Sequence, residues 1–453
     1  MKSTTSYLRT DRAARVAVSY RPISELKPDS LNPRVHSPKQ IRQIARSIEV
    51  FGFVVPILVK PSGKIIAGHG RISAAQLLGW SEVPTICLDH LTEAQVKAFM
   101  IADNRLTENS TWDDRLLAQH LKDLSLLELD FSLEVTGFEM GEIDFRIEGL
   151  NAQPETREDP ADNLPAESSS PPVTQVGDLW LLRSHRVYCG SALEDAAYAA
   201  LMQGEKAAAV FTDPPYNLPI DGNVSGLGAI RHREFVMGSG EMNEAEFTAF
   251  LTRACATLAR HSDEGAIHFI CMDWRHMGEL LAAGREAYAE LKNLCIWVKG
   301  NGGMGSFYRS EHELVFVFKH GRGSHRNNIQ LGQYGRNRTN VWRYPCANSF
   351  SKSGDEGNLL ALHPTVKPVA MVADAIMDVS SRGDIVLDSF LGSGTTVIAA
   401  ERTGRRCYGI ELDPLYVDAI ICRRQAFTGD QARHASSDRT FVELEAEVGK
   451  DHA

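Results

Sequence analysis

Apolar positions along the chain fall into two regimes. In the first, KQIRQIARSIEVFG (residues 39–52) places Ile41, Ile44, Ala45 and Ile48 three or four apart and stops at Gly52, which predicts an amphipathic helix. VVPILVK, PSGK and IIAGHGR then predict a strand, a turn and a strand, with a helix over ISAAQLLG. Thr92 with Gln95 forms the pattern of a capping box, predicting a further helix towards Asn104. In the second regime, AAAVFT, AIHFICM, NLCIWVK, HELVFVFK, DIVLDSF and RCYGIEL are short apolar runs, several separated by helix-length segments such as NEAEFTAFLTRACATLARH. That alternation predicts an α/β fold with a mostly parallel, doubly wound, Rossmann-like sheet, preceded by a small α+β domain. Between the two, residues 151–175 carry five prolines and five acids and read as a solvated linker. The expected organisation is therefore a first domain over 1–150, a linker over 151–175, a second domain over 176–428 and a polar tail over 429–453.

Composition narrows the class. A chain of 453 residues with 43% hydrophobic residues has room for two or three packed cores. Its net charge of −10 does not advertise a nucleic-acid binder, so any such surface must be local. None of the eight cysteines stands two residues from another, which argues against zinc ribbons and redox pairs, and no metal site is expected. The first twenty residues lack an apolar signal core, and no apolar run approaches about 18 residues, so the expectation is a cytoplasmic protein with no membrane segment.

Two strand ends carry chemistry. In VFTDPPYNLP a strand stops at Asp213, Pro214, Pro215 and Tyr216, leaving a carboxylate, a carbonyl and an aromatic face at one tip. In DIVLDSFLGSGTTVIAAERTGRRCYGIELD, Asp388 closes a strand, Gly392 and Gly394 permit a tight turn, and Thr395 opens a helix with free N–H groups. Glu411 ends the next strand 19 positions beyond Gly392, near the spacing of about 20 at which an acid accepts ribose hydroxyls. A phosphate loop and a dinucleotide fingerprint both fit poorly: GSGTT has no Lys before its Thr pair, and Val397 stands where a third Gly belongs. On its own the turn is equally compatible with a purely structural role.

DPPY at 213–216, HPTVKP at 363–368 and DSFLGSGTT with GIELDP together resemble the S-adenosylmethionine-dependent DNA amino-methyltransferases over about residues 176–425. DPPY precedes the Gly-rich turn, an order similar to the permuted β group of that family. The resemblance implies a catalytic loop of Asp213, Pro214, Pro215 and Tyr216. It also implies S-adenosylmethionine held by Asp388, Phe390, Gly392, Gly394, Thr395 and Glu411, with His363, Thr365 and Lys367 of the HPTVKP motif. The activity implied is methylation of the N6 amine of adenine, in a base flipped out of double-stranded DNA. Cytosine-N4 is the runner-up, since it uses the same amine chemistry, although enzymes of that specificity tend to have Ser in place of Asp213. Target recognition is expected between the motifs, where residues 319–352 hold seven Lys or Arg, no acid and four aromatic residues. Arg336, Arg338 and Arg343 are the candidate DNA contacts.

The N-terminal part, about 23–108, resembles the N-terminal domain of ParB-like partition proteins. GHGR at 68–71 looks like that family's phosphate-contacting motif and ADNR at 102–105 like its second nucleotide-contacting stretch. Gly68, His69, Gly70 and Arg71 are thus a candidate site for CTP or another nucleotide, although His69 and Gly70 depart from the usual pattern. A homodimer is left open. The rival reading of the whole chain is a ParB-like DNA-binding switch whose methyltransferase half is inactive.

Overall fold

The computed structural model describes residues 17–150, 160–162, 171–217, 240–300, 308–333, 336–345 and 366–451. Contacts within it divide the chain into two units, 1–150 and 151–453.

The first unit is a four-stranded sheet of β1 (Val18–Pro22), β2 (Ile57–Val59), β3 (Ile65–Ala67) and β4 (Glu82–Cys87), in the order β1-β4-β2-β3. Helix α1 (Pro38–Phe51) begins where the Ser37 side chain accepts the Gln40 N–H, and ends at Gly52. Ala45 and Ile48 are its buried stripe, as the spacing predicts. Helix α2 (His69–Leu77) follows β3 directly, and α3 (Glu93–Glu108) starts with the Thr92–Gln95 capping box. Two further helices, α4 (Asp114–Ser125) and α5 (Met140–Gly149), pack Leu121 against Met140, Ile143 and Ile147 in a core of their own.

The second unit is built on a ten-stranded sheet. Its strands are β5 (Leu179–Leu182), β6 (His185–Cys189), β7 (Ala207–Thr212), β8 (Ser262–Met272), β9 (Glu290–Val298), β10 (His312–Lys319), β11 (Val341–Arg343), β12 (Ile385–Asp388), β13 (Arg406–Glu411) and β14 (Arg433–His434), in the order β11-β9-β10-β8-β7-β12-β13-β6-β5-β14. The inner five, β8-β7-β12-β13-β6, are parallel; β10 and β5 join them antiparallel on either side. β12 is buried at all four positions, as a central parallel strand covered on both faces must be. The covering helices are α6 (Asp195–Met202), α7 (Glu244–Arg260), α8 (Met277–Ala287), α9 (Val369–Val379), α10 (Thr395–Thr403) and α11 (Pro414–Thr428). No helix among the described residues is long and apolar enough to cross a membrane.

Two expectations need correction. The segment read as a polar tail instead supplies β14 and helix α12 (Phe441–Asp451), and Ala432 and Phe441 are buried, with the Phe441 ring 5.4 Å from that of Trp180. Apolar area at those positions outweighs the polar average of the stretch. The described parts of the expected linker are not wholly solvated: Ala161 and Thr174 are buried, and the Val173 and Thr174 N–H groups donate to Asp418 at 2.7 and 3.1 Å, while Pro171, Pro172 and Gln175 are exposed.

Candidate functional site

Register puts the two chemical strand ends side by side. β7 and β12 are parallel neighbours, with Leu387 opposite Val210, so the DPPY tip and the Gly-rich turn emerge at one sheet edge. The Thr212 hydroxyl donates to Asp388 Oδ1 at 2.8 Å and ties the two ends together. The cleft between them is lined by Asp213, Lys367, Asp388, Phe390, Gly392 and Thr395, with Phe211 and Leu391 among its apolar walls.

At the first tip, Asp213 is held through both oxygens. Lys367 Nζ lies 2.5 Å from Oδ2, and the Tyr216 hydroxyl donates to Oδ1 at 2.6 Å. Burial, with the charge of Glu313 nearby, pushes the Asp213 carboxyl up from its ordinary value although Lys367 opposes this. Lys367 also reaches Glu313 Oε2 at 3.1 Å, and Glu313 pairs in turn with Lys299. The two ammonium groups hold Glu313 down to about 2 against the cost of its burial. Trp297 closes the cluster, with Lys367 Nζ 5.8 Å and Lys299 Nζ 5.2 Å from its ring. Two carboxylates and two ammoniums thus balance behind the strand tip, where an isolated buried charge would be untenable.

Glu313 and Lys299 escaped the sequence reading, and Lys367 was assigned to the cofactor rather than to Asp213. A signal did exist: Lys299 directly follows the apolar run LCIWV and Glu313 directly precedes the apolar run LVFVF. Because β10 runs antiparallel to β8, its beginning lies at the edge where β7 ends.

At the second tip, the Asp388 carboxylate accepts from Thr212, from the Phe390 N–H at 3.1 Å and from the Thr396 hydroxyl at 2.6 Å. Burial raises its pKa to about 6. Gly392 and Gly394 have φ of 53° and 77°, and a Cβ on Gly394 would stand 2.9 Å from Ile420, so no other residue fits that turn without strain. Thr395 is buried and its hydroxyl donates to the Lys367 carbonyl at 3.2 Å, joining the turn to the Asp213 network. Glu411 Oε2 accepts the Gly392 N–H at 2.8 Å and Oε1 the Asp413 N–H at 2.9 Å. Burial raises this carboxyl to about 7. His363 and Thr365 lie outside the described residues.

Two of the three arginines expected on DNA are engaged in ion pairs within the protein. Arg336 is buried, with Nη2 2.9 Å from Asp378 Oδ1, and Arg338 Nη2 lies 2.5 Å from Asp374 Oδ1. Both acids stand on α9, so these guanidiniums tie the basic segment to that helix instead of facing solvent. Of the three, only Arg343, on the edge strand β11, is exposed. Of the four aromatic residues, Trp342 and Tyr344 pack against the core and Tyr344 hydrogen-bonds Asp374, while Tyr334 and Phe350 lie outside the described residues. Charge counts along a sequence do not reveal that an acid pair waits on a helix some forty residues away.

In the first unit, α2 opens at Gly68, whose φ is 105°. The Arg71 guanidinium lies against this turn, with Nη2 3.4 Å from the Pro56 carbonyl, and its Nε is buried without a hydrogen-bond partner. His69 Nε2 accepts the Asp29 N–H at 3.2 Å. A Cβ on Gly70 would meet Ile44 at 3.0 Å, so this glycine serves the packing of α1 against α2.

Family models match the chain in three places: a ParB N-terminal domain over residues 9–104, a ParB-methyltransferase HTH domain over 115–176 and a DNA methylase over 207–422. The ParB-like nuclease domain-containing protein YnaK of Escherichia coli (strain K12) is 44% identical over 81 residues, 18% of this chain and 93% of that protein. The chain belongs to the ParB-like family and carries a DNA methylase domain. YubD of the same organism, which bears a methylase name, is 26% identical over 243 residues, 54% of this chain and 92% of that one. The solved M1.HpyAVI-SAM complex is 20% identical, covering 52% of this chain and 98% of that one with a TM-score of 0.37. The helix-turn-helix match takes in α4, α5 and the residues read as linker. Neither α4 nor α5 is among the elements predicted from the sequence, although Asp113 before a periodic apolar run is an N-terminal signal, and its side chain does accept the Leu116 N–H at 2.9 Å.

Proposed function

We propose that this ParB-family DNA methylase transfers a methyl group from S-adenosylmethionine to the N6 amine of adenine in a base flipped out of double-stranded DNA. The observation that carries the reading is an acid at a parallel strand tip, Asp213, sharing one cleft with a glycine-opened helix start on the neighbouring strand.

The residues present suit the cofactor. Glu411 is an acceptor for ribose hydroxyls, the first N–H groups of α10 suit a carboxylate, and Phe390 offers an apolar face. When bound, the cofactor supplies an electrophilic methyl group. This chain's residues do the rest. An exocyclic amine donates its lone pair into the ring and is a poor nucleophile until acceptors on its N–H groups draw the nitrogen towards tetrahedral geometry. Asp213 and the Pro214 carbonyl are such acceptors at the tip. Each Asp213 oxygen has a second lone pair beyond those facing Lys367 and Tyr216, so one remains for the amine. Lys367 and Tyr216 keep that carboxylate oriented, and the fixed geometry is itself a large part of catalysis. Burying the amine's surroundings requires that the base leave the stack.

Mass spectrometry of nucleosides from DNA of cells expressing the protein tests this directly. N6-methyladenine above the level of empty-vector cells is expected; N4-methylcytosine would move the target to cytosine, and neither product would sink the enzymatic reading.

For the first unit, we infer a nucleotide site at the start of α2, where the backbone N–H groups and Arg71 converge. Titration of the full-length protein with CTP should saturate and should weaken in Arg71→Ala. A signal indifferent to that change would retire the site.

A further inference from the structure

We propose that residues 160–162, within the stretch that composition reads as a solvated linker, brace the catalytic centre, and that Asp162 and Arg423 are positioning residues for it. The proposal rests on the methyltransferase reading above and adds to it a part of the chain that neither the motifs nor the strand tips include.

The contacts form a closed circuit. Asp162 Oδ1 accepts the Val369 N–H at 2.7 Å, at the first residue of α9. That helix starts at Pro368, which offers no side-chain cap, so Asp162 takes the place of the missing N-cap acceptor. Lys367, whose ammonium holds Asp213 and Glu313, is two residues upstream of that amide. On the other side, the Ala161 carbonyl accepts from Arg423 Nη2 at 2.9 Å. Arg423 Nη1 donates to the Ser393 carbonyl at 2.9 Å and to Thr395 Oγ1 at 3.3 Å, inside the Gly-rich turn. Thr395 then donates to the Lys367 carbonyl, which closes the ring.

Ala161 and Arg423 are buried, at 5% and 3% exposure, so water does not compete for these bonds. The Asp162 carboxylate also favours the charged form of the Arg423 guanidinium, which burial disfavours. A segment three residues long therefore touches both halves of the site, through the amide that sets Lys367 and through the cation that sets the cofactor turn. Its loss should act on turnover through misplacement of Asp213, where a shift of about 1 Å can cost on the order of a hundredfold.

The test uses the full-length chain with Asp162→Ala, Asp162→Asn and Arg423→Lys. Two readouts are followed: kcat against KM for S-adenosylmethionine, and hydrogen exchange of peptides covering 366–372 and 391–397. Asp162→Ala should lower kcat by about tenfold or more, leave the cofactor KM nearly unchanged and speed exchange over 366–372. Asp162→Asn keeps an oxygen acceptor and should restore most of both. Arg423→Lys should speed exchange over 391–397 and raise the cofactor KM. Wild-type exchange and turnover in Asp162→Ala would overturn the brace, as would an Asn variant as impaired as Ala. If the wild-type protein transfers no methyl group to DNA, the functional reading fails, and the exchange measurements still decide whether residues 160–162 hold these two segments.

Discussion

Each unit contains a helix that follows a short strand and opens on a left-handed glycine: Gly68 before α2, Gly394 before α10. The backbone device is the same, a set of N–H groups free to meet a negative or hydrogen-bonding group. Its surroundings differ in their balance of charge. Around the turn at Gly394 stand two acids and two hydroxyls, Asp388, Glu411, Thr395 and Thr396, with the Arg423 guanidinium bonded to Ser393 and Thr395 and Lys367 in the cleft lining. At Gly68 they are a guanidinium and an imidazole, Arg71 and His69, and burial keeps the imidazole pKa below its ordinary value. Acids beside a helix start suit a ligand that presents hydroxyl donors, whereas an arginine there suits one that presents phosphate oxygens. A glycine-rich turn thus defines where a ligand sits, and the charged residues around it define which ligand.

The largest effect expected from breaking this contrast is at the acid beside the second turn. Asp213→Ala should lower kcat by about a hundredfold or more while leaving cofactor affinity nearly intact, because it removes acceptors that matter to the amine and not to the cofactor. Steady-state methylation paired with calorimetric cofactor titration checks it, and a variant with wild-type turnover would refute the assignment.

Glu411→Gln should weaken cofactor binding by roughly tenfold or more, the worth of a hydrogen bond to a charged group, and leave nucleotide binding in the first unit unaltered. It also carries a pH signature. The folded carboxyl titrates at about 7 against 4.5 for an unperturbed one, so the folded protein binds the extra proton between those values. Its contribution therefore makes the cofactor-free protein less stable as pH rises through that window, while affinity for a ligand that needs the carboxylate rises across pH 7. Glu411→Gln should flatten both slopes; unchanged slopes in melting and titration series would remove Glu411 from the ribose role.

Arg71→Ala should lower nucleotide affinity about tenfold through loss of a charge-assisted contact, with cofactor affinity untouched. Equal damage to both ligands would show that the two helix starts are not independent sites.

The smallest effect is expected at Arg343. If it meets a DNA phosphate, Arg343→Ala should reduce the slope of log K against log salt by about 0.9. The buried Arg336 gives the opposite picture: Arg336→Ala breaks an enclosed ion pair and should cost about 3–5 kcal/mol of stability, read as a fall in Tm, without being a test of DNA contact.

What could be read without coordinates was local. Periodicity marked α1, the length of the segment between apolar runs marked α7, the Thr92–Gln95 pair marked the start of α3, and strand-ending acids with prolines or glycines behind them marked both chemical tips. These features depend on neighbours within a few residues, and their physics is that of backbone conformation and helix ends. The two halves of the cleft were legible in the same way, because Asp213, Gly392 and Gly394 are chemically unusual where they stand.

Only the tertiary structure decided which charges meet. Lys367 and Glu313 come to Asp213 from positions 154 and 100 residues away along the sequence, Glu313 because β10 enters the sheet antiparallel to β8 and Lys367 from the residues just before α9. Asp374 and Asp378 withdraw Arg336 and Arg338 from solvent, and Asp162 caps a helix 207 residues further on. Sequence determined the elements and the chemical character of their ends, since propensity and periodicity act over one or two turns. The fold determined the partners, because burial makes an unpaired charge so costly that pairing is set by strand order and helix docking rather than by separation along the chain.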